Sequence, residues 1–91
     1  MTKGEYRVGI SFNPSGDDMV GQIKRAAANL IDLVESIEIP VHHSDDDEAA
    51  TAEFHQASQA SEIRRLKALA QTDIETAAMH AVKAATKRAP E

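Results

Sequence analysis

A run of apolar residues at helical spacing constrains the fold of this chain more than any other feature. Between Asp17 and Ile37 these residues recur every three or four positions. They are Val20, Ile23, Ala27, Leu30, Val34 and Ile37. That spacing places them on one face of a helix that starts at Asp17 or Asp18 and ends near Ile37. Either Ser15 or Asp17 can cap its start. A second apolar stripe, which flanks the first, consists of Met19, Ala26 and Leu33. The apolar surface is therefore wider than one partner helix can cover.

A second helix is predicted after Pro40, which ends the first one. It is expected to run from about Asp47 to Lys87, although its weak first part, up to Ser61, can be read as helix or loop. From Glu62 onward one face is again apolar and rich in alanine. Its members are Ile63, Leu66, Ala70, Ile74, Ala77, Ala81 and Ala85. Small residues on that face allow another helix to approach closely.

The residues before the first helix predict a short extended arm. Every second residue from Tyr6 to Phe12 is apolar, as in a strand with one apolar side. The sequence Asn13-Pro14-Ser15-Gly16 then predicts a turn. Residues 1–91 are thus expected to form one all-α domain, a helical hairpin with an extended N-terminal arm. Two antiparallel helices alone cannot bury both stripes of the first helix, so assembly into a homo-oligomeric helical bundle is expected.

Composition supports assembly and disfavours several classes of function. The 91 residues include one tyrosine, two phenylalanines and no tryptophan, so a single copy buries a small core. Without cysteine there are no disulfides and no thiolate metal sites. The net charge of -5 disfavours general binding to DNA or RNA, which requires a basic face. The sequence contains neither a membrane-spanning apolar run nor a signal-peptide core, so no membrane partner and a cytoplasmic location are expected.

The turn before the first helix is the strongest candidate for a binding site. With the bases that follow it, the set consists of Phe12, Asn13, Pro14, Ser15, Lys24 and Arg25. An aromatic ring can stack on a nucleobase for about 1–3 kcal/mol. The polar turn residues can hydrogen-bond to the ligand, and Lys24 or Arg25 can meet a phosphate. The alternative is that Phe12 packs on the helix as a hydrophobic staple and that both bases are solvated.

Other polar clusters carry weaker predictions. Arg64, Arg65 and Lys67 either meet a ligand from another subunit or pair with nearby acids on a solvated face. His42 and His43 precede three aspartates, but their spacing matches no zinc pattern, so we expect no metal. The sequence shows no paired nucleophile and base, and no phosphate-cradling loop. We therefore expect a protein that binds a ligand without transforming it and needs no cofactor.

Two segments, taken in order and spacing, carry a family resemblance. The first runs from Arg7 to Gly16 and continues from Val20 to Leu33. The second runs from Leu66 to Lys87 and contains an Ala-Met-x-Ala-Val-Lys-Ala pattern. They resemble the phage anti-CBASS sponges for cyclic oligonucleotides, whose hairpin domain is shared with a group of phage anti-Thoeris sponges. The resemblance covers nearly the whole chain, apart from the link between Glu38 and Ser61.

The resemblance implies a non-enzymatic function. Such sponges assemble as hexamers and hold cyclic dinucleotides such as 3′,3′-cGAMP between subunits, and many bind cyclic trinucleotides at separate sites. By holding the messenger they keep CBASS effectors inactive in the cytoplasm of the infected host. The resemblance places the dinucleotide at Phe12 with Lys24 or Arg25. The implied trinucleotide site consists of Gly21, Arg25, Arg64 and Arg65.

Three other functions remain open at this level. Cyclic ADP-ribose isomers of Thoeris defence also present adenine and phosphate, so the sequence does not separate them from cyclic dinucleotides. A structural hairpin that binds only a protein partner needs no small ligand. A metal-dependent phosphodiesterase would use His42, His43 and the aspartates that follow.

Overall fold

The computed structural model describes residues 1–40 and 50–87, with side chains in the last helix described from residue 57 onward. All regular secondary structure in these ranges is helical. The helices are α1 (Lys3–Val8), α2 (Asp18–Glu35) and α3 (Ala50–Thr86). The prediction of an all-α helical hairpin is confirmed for this part of the chain. The weak first part of the second predicted helix is helical from Ala50 onward.

The two ends of α2 are fixed in different ways. Asp17 caps the start, as predicted, because its carboxylate accepts the amide hydrogen of Met19 at 2.8 Å. The helix ends at Glu35, two residues before the predicted end. There the Lys67 ammonium, from α3, donates to the carbonyl oxygens of Glu35 at 2.9 Å and Ile37 at 2.7 Å. A distant lysine thus satisfies carbonyls that have no partner within α2.

The N-terminal segment is a helix, and the prediction of an extended arm is wrong. The Thr2 hydroxyl accepts the Glu5 amide hydrogen at 3.0 Å, while the Glu5 carboxylate accepts the Thr2 amide hydrogen at 2.8 Å. These reciprocal bonds satisfy two amides at the start of α1. Gly9 ends α1 in the left-handed conformation with φ of 62°, which glycine adopts without steric cost. Local capping therefore outweighs the loose alternation of apolar residues.

The first helix, α1, lies on α2 through a close contact between backbones. Gly4 is buried, and a methyl group at this position would lie 2.1 Å from the carbonyl oxygen of Ala28. The Gly4 amide donates to the Asp32 carboxylate at 2.7 Å. An ion pair between Lys3 and Glu35, at 2.8 Å, joins the same two helices. The missing side chain at residue 4 is what allows α1 to pack this closely.

The buried face of α2 differs from the predicted one. Its buried residues are Val20, Lys24, Ala28 and Ile31. Leu30 and Ile37, which belong to the predicted apolar face, are exposed, and so is Leu33 in the flanking stripe. The buried face is rotated relative to the predicted one, and a lysine occupies one of its positions. A pattern built on apolar residues alone could not include it.

The third helix, α3, runs antiparallel to α2. Gln71 is buried and donates to the carbonyl oxygen of Ile31 at 3.3 Å and to the Glu35 carboxylate at 2.8 Å. The other buried residues described on α3 are Ala60 and Ala78. Two members of the predicted face, Leu66 and Ala77, are exposed instead.

The helices also differ in length. At about 1.5 Å per residue, α3 is about 55 Å long and α2 about 27 Å, so α3 extends well beyond its partner. None of the helices in residues 1–40 and 50–87 has both the length and the apolar character needed to cross a membrane.

Candidate ligand-binding cleft

The turn between α1 and α2 faces the C-terminal end of α3 across a cleft of about 300 Å³. The cleft is lined by Phe12, Asn13, Pro14, Ser15, Val20, Lys24, Val82 and Thr86. Five of the six residues predicted for a dinucleotide site therefore lie together, and Arg25 is the exception. Sequence reasoning missed the contribution of α3. The only signal for it was Val82 within the Ala-Met-x-Ala-Val-Lys-Ala pattern.

Phe12 presents its ring at the edge of this cleft. The residue is 71% exposed, so it is not a hydrophobic staple packed on α2. Its ring centroid lies 5.4 Å from the Lys24 ammonium nitrogen, within the range of a cation–π contact. Most of the ring remains accessible to a stacking partner.

Lys24 lies beneath the turn and is only 8% exposed. Its Nζ donates to the carbonyl oxygen of Gly9 at 3.0 Å and to the carbonyl oxygen of Phe12. Burial of an ammonium group is costly unless such bonds replace its hydration. The two carbonyls therefore stabilise the positive charge at the floor of the cleft.

The polar side chains of the turn hold the turn itself. The Asn13 side-chain amide donates to the carbonyl oxygen of Asp17 at 3.0 Å, and its Oδ1 accepts the Ser15 hydroxyl at 2.8 Å. Ser15 in turn accepts the Asp17 amide hydrogen at 3.1 Å. An asparagine amide has two N–H donors and a serine hydroxyl has two lone pairs, so each side chain keeps one position for a ligand. The cleft is thus built before any ligand arrives.

Arg25 faces α1 rather than the cleft. Its guanidinium pairs with the Glu5 carboxylate at 2.9 Å. The hydrogen bond from the Thr2 backbone amide, followed by the bond from Arg25, lowers the pKa of Glu5 from 4.5 to about 2. Of the two bases considered from the sequence, Lys24 is the one that lines the cleft.

The residues of the predicted trinucleotide site lie apart within one chain. Gly21 and Arg25 are near the start of α2, whereas Arg64 lines a cleft of about 160 Å³ beside its end. Gly21 lies fourteen residues of helix, about 21 Å, before the end of α2 at Glu35, and Arg25 lies ten residues, about 15 Å, before it. Arg65 pairs with Glu62 one turn earlier, and this bond lowers the pKa of the Glu62 carboxyl. Around Gly21, no described atom outside the neighbouring backbone of α2 lies within 4 Å of where a methyl group would stand.

A larger cleft of about 450 Å³ adjoins the first one between α1 and α3. At its edge the Arg7 guanidinium donates twice to the Glu75 carboxylate, at 2.7 and 3.0 Å, and bonds Thr72 at 3.3 Å. No local pattern could reveal a pair separated by 68 positions.

Among the described residues, no group of three metal-ligating side chains is placed to hold a metal ion. The link that contains His42, His43 and the following aspartates lies outside the described residues, so the metal hypothesis attached to it is not tested. His80 is exposed on α3.

Together, the fold and the cleft define a small helical hairpin with a preformed cleft between the turn and the end of α3. The family model of the Acb2/Tad1 hairpin domain matches residues 4–86, which span nearly all of the three helices. The chain therefore belongs to the Acb2/Tad1 hairpin family, which comprises anti-CBASS and anti-Thoeris sponges. The resemblance seen in the sequence is confirmed, and the family implies a sponge-type role through cyclic nucleotide signals. No curated protein and no solved structure matches the chain significantly.

Proposed function

We propose that this protein is a non-enzymatic sponge for cyclic di- and trinucleotide second messengers such as 3′,3′-cGAMP. It sequesters the messenger in the host cytoplasm during phage infection, so that CBASS effectors stay inactive. One observation carries this proposal above the others. A single cleft joins an exposed aromatic ring, a hydrogen-bonding turn and a buried lysine. The proposal includes no cofactor, no DNA or RNA partner and no membrane partner.

Each part of the cleft suits one part of a nucleotide. A base stacks on the Phe12 ring, which contributes about 1–3 kcal/mol. The free positions of Asn13 and Ser15 bond to its polar edge, and the buried Lys24 closes the floor of the cleft beneath the ring. The lining residues described contain no carboxylate, imidazole or thiol, which supports capture without cleavage. Tight binding of this kind needs complementarity to the intact ligand and not to a transition state.

The size of the cleft supports binding between subunits. About 300 Å³ is at the lower end of the range for small-molecule pockets, roughly 300–1,000 Å³, and suits one nucleotide of a cyclic ligand. The remainder then contacts another copy. Several exposed apolar residues are available for assembly: Leu30, Leu33, Ile37, Leu66, Leu69 and Met79. We propose a homo-oligomer, a hexamer as in the resembling sponges. Its trinucleotide site pairs Gly21 and Arg25 of one copy with Arg64 or Arg65 of another.

A second candidate ligand is a cyclic ADP-ribose isomer of Thoeris defence. The matching family model unites anti-CBASS and anti-Thoeris sponges, and both ligand classes present adenine and phosphate. Competition between 3′,3′-cGAMP, a cyclic trinucleotide and a cyclic ADP-ribose isomer, followed by native mass spectrometry, distinguishes them. The ligand that displaces the others at the lowest concentration identifies the defence system.

Isothermal titration with 3′,3′-cGAMP tests the main proposal. We expect tight binding, and after heat denaturation we expect chromatography to recover the cyclic compound intact. A linear product would overturn the sponge proposal. If a chelator then prevented formation of that linear product, the protein would be a metal-dependent phosphodiesterase. No binding of any cyclic nucleotide, together with capture of a protein partner, would favour a protein-binding hairpin.

The Phe12→Ala variant tests where the ligand binds. Loss of stacking should weaken binding about 5- to 150-fold, the equivalent of about 1–3 kcal/mol. Tyr6→Ala is the matched control, because Tyr6 is also exposed but does not line the cleft. Equal affinity of the Phe12 variant and the parent would show that this cleft is not the site.

A further inference from the structure

We propose that Lys24 is a positioning residue, whose buried ammonium holds the turn that carries Phe12 and so sets the ring in the cleft. Its main partners are backbone carbonyls of the protein, not phosphates of the ligand. This inference rests on the proposed function for the identity of the ligand. The order of the turn can nevertheless be measured with no ligand present.

The first support comes from the donors of the ammonium group. A lysine ammonium has three N–H donors. Two of them are directed to the carbonyl oxygens of Gly9 and Phe12. With the residue 8% exposed, little of the group can be reached from the cleft. A phosphate that replaced either carbonyl would leave a buried acceptor without its charged donor.

The second support comes from what those two carbonyls do. The Gly9 oxygen, which Lys24 contacts, also accepts the Phe12 amide hydrogen at 2.9 Å and closes the turn. The bonds among Asn13, Ser15 and Asp17 hold only the second half of the turn. Lys24 therefore ties the first half, including the backbone of Phe12, to α2.

The third support is the surroundings of the ammonium. The side chains beside Lys24 in the two adjoining clefts include Val20, Val82 and Thr86. Glu75, the one carboxylate among the residues that line these two clefts, is paired with Arg7. The two carbonyls of the turn are thus the groups that compensate the charge of Lys24.

Amide hydrogen exchange of the ligand-free protein tests the structural half of the proposal. In Lys24→Met we expect the Phe12 amide to exchange at least about tenfold faster than in the parent, because the carbonyl that it bonds loses its anchor. The amide of Ala28, in the middle of α2, should be unchanged. Lys83→Met is the matched control, since Lys83 is exposed and contacts neither carbonyl. Unchanged protection of Phe12 in Lys24→Met would overturn the proposal.

Lys24→Gln provides a second variant if methionine at this position prevents folding. The shorter amide keeps a polar donor, so the helices should remain docked while the bonds to the turn weaken. We again expect faster exchange at Phe12 with Ala28 protected. If the variant is folded and its turn is as protected as that of the parent, Lys24 does not hold the turn.

A double-mutant cycle tests the functional half. If Lys24 acts through the Phe12 ring, Lys24→Met should weaken 3′,3′-cGAMP binding about tenfold in the parent but less than about twofold in Phe12→Ala. Equal losses in both backgrounds would mean that Lys24 contacts the ligand directly, and would overturn the proposal. No binding by any variant would instead contradict the proposed function. The exchange measurement would still establish whether Lys24 holds the turn.

Discussion

The two sides of α2 have opposite characters. The inner side, which faces α1 and α3, buries the charged Lys24 and contacts the buried amide of Gln71. The outer side exposes large apolar residues, with Leu33 65% accessible. In a helix that serves a single chain, the apolar residues normally face inward. The difference teaches that close backbone contacts and satisfied polar groups hold one copy together, whereas the outer apolar residues remain available to other copies.

The largest effect is expected from filling the contact between α1 and α2. In Gly4→Ala the new methyl would lie 2.1 Å from the carbonyl oxygen of Ala28 and 2.9 Å from its Cα. These are backbone atoms and cannot move aside, so α1 must separate from α2. We expect the free energy of unfolding to fall by about 3 kcal/mol, as measured by urea denaturation followed by circular dichroism.

Gly21→Ala is the matched control on the outer side of the same helix. Apart from the neighbouring backbone of α2, a methyl there meets no described atom within 4 Å, and alanine is the better helix former. We expect the free energy of unfolding of the single chain to rise by about 1 kcal/mol. If Gly4→Ala were as stable as Gly21→Ala, the close contact between α1 and α2 would not exist in solution.

The next effect concerns the buried amide of α3. Gln71→Met preserves volume but removes the donor to the Ile31 carbonyl and the Glu35 carboxylate. We expect the free energy of unfolding to fall by about 1–2 kcal/mol. We also expect the pKa of Glu35, measured by NMR titration, to rise. Gln59→Met, at an exposed position on α3, should change stability by less than about 0.5 kcal/mol. Equal effects of the two variants would contradict a specific role for Gln71.

Acid is expected to reduce the stability of the fold by a smaller amount. Hydrogen bonds from Gln71 and then Lys3 lower the pKa of Glu35 to about 2, and the Thr2 amide and Arg25 do the same for Glu5. Because both folded-state pKa values lie below the usual value of 4.5, these carboxylates stabilise the fold fully above pH 4.5. The contribution is lost as the pH falls towards 2.

Urea denaturation at pH 7, 4.5, 3 and 2 should show this loss, with α1 the first element to separate. In the double variant Glu5→Gln and Glu35→Gln the loss between pH 4.5 and 2 should be smaller. A pH dependence identical to that of the parent would mean that other groups cause it. Both carboxylates are accessible to water, so the effect is expected to be modest.

The smallest effect on the single chain is expected on the outer side. Leu33→Glu should leave helix content unchanged and alter the stability of an isolated copy by less than about 0.5 kcal/mol. It should nevertheless disrupt the proposed oligomer, because a charge would be buried between copies. Light scattering after size exclusion measures this, with Asn29→Glu as the control at an exposed polar position. Unchanged mass in Leu33→Glu would place the interface elsewhere.

Local signals in the sequence were sufficient for part of this structure. The proline and glycine around Ser15, with Asp17 as cap, predicted both the turn and the start of α2. They also predicted most of the cleft residues, because a turn brings residues that are neighbours in sequence close together in space. The Thr2-x-x-Glu5 pattern is a capping signal for α1, and the prediction of an extended arm, which rested on the alternation of apolar residues, did not use it.

The remaining features depend on long-range packing. Burial of Lys24 is favourable only because the carbonyls of Gly9 and Phe12 face it, and no pattern in α2 contains that information. The pair of Arg7 with Glu75 likewise requires α1 and α3 to meet. These tertiary contacts rotated the buried face of α2 away from the apolar stripe that the sequence indicated.

The bonds that the Lys67 ammonium makes to the end of α2 limit how the hairpin can be cut into separate fragments. It bonds the carbonyl oxygen of Glu35, the last residue of α2, and that of Ile37, which lies 30 positions before Lys67. The last turn of α2 therefore depends on α3, and a synthetic peptide of α2 alone should fray at that end. A fragment that ends before α3 is a poor substitute for the intact chain, because it lacks the lysine that bonds these carbonyls.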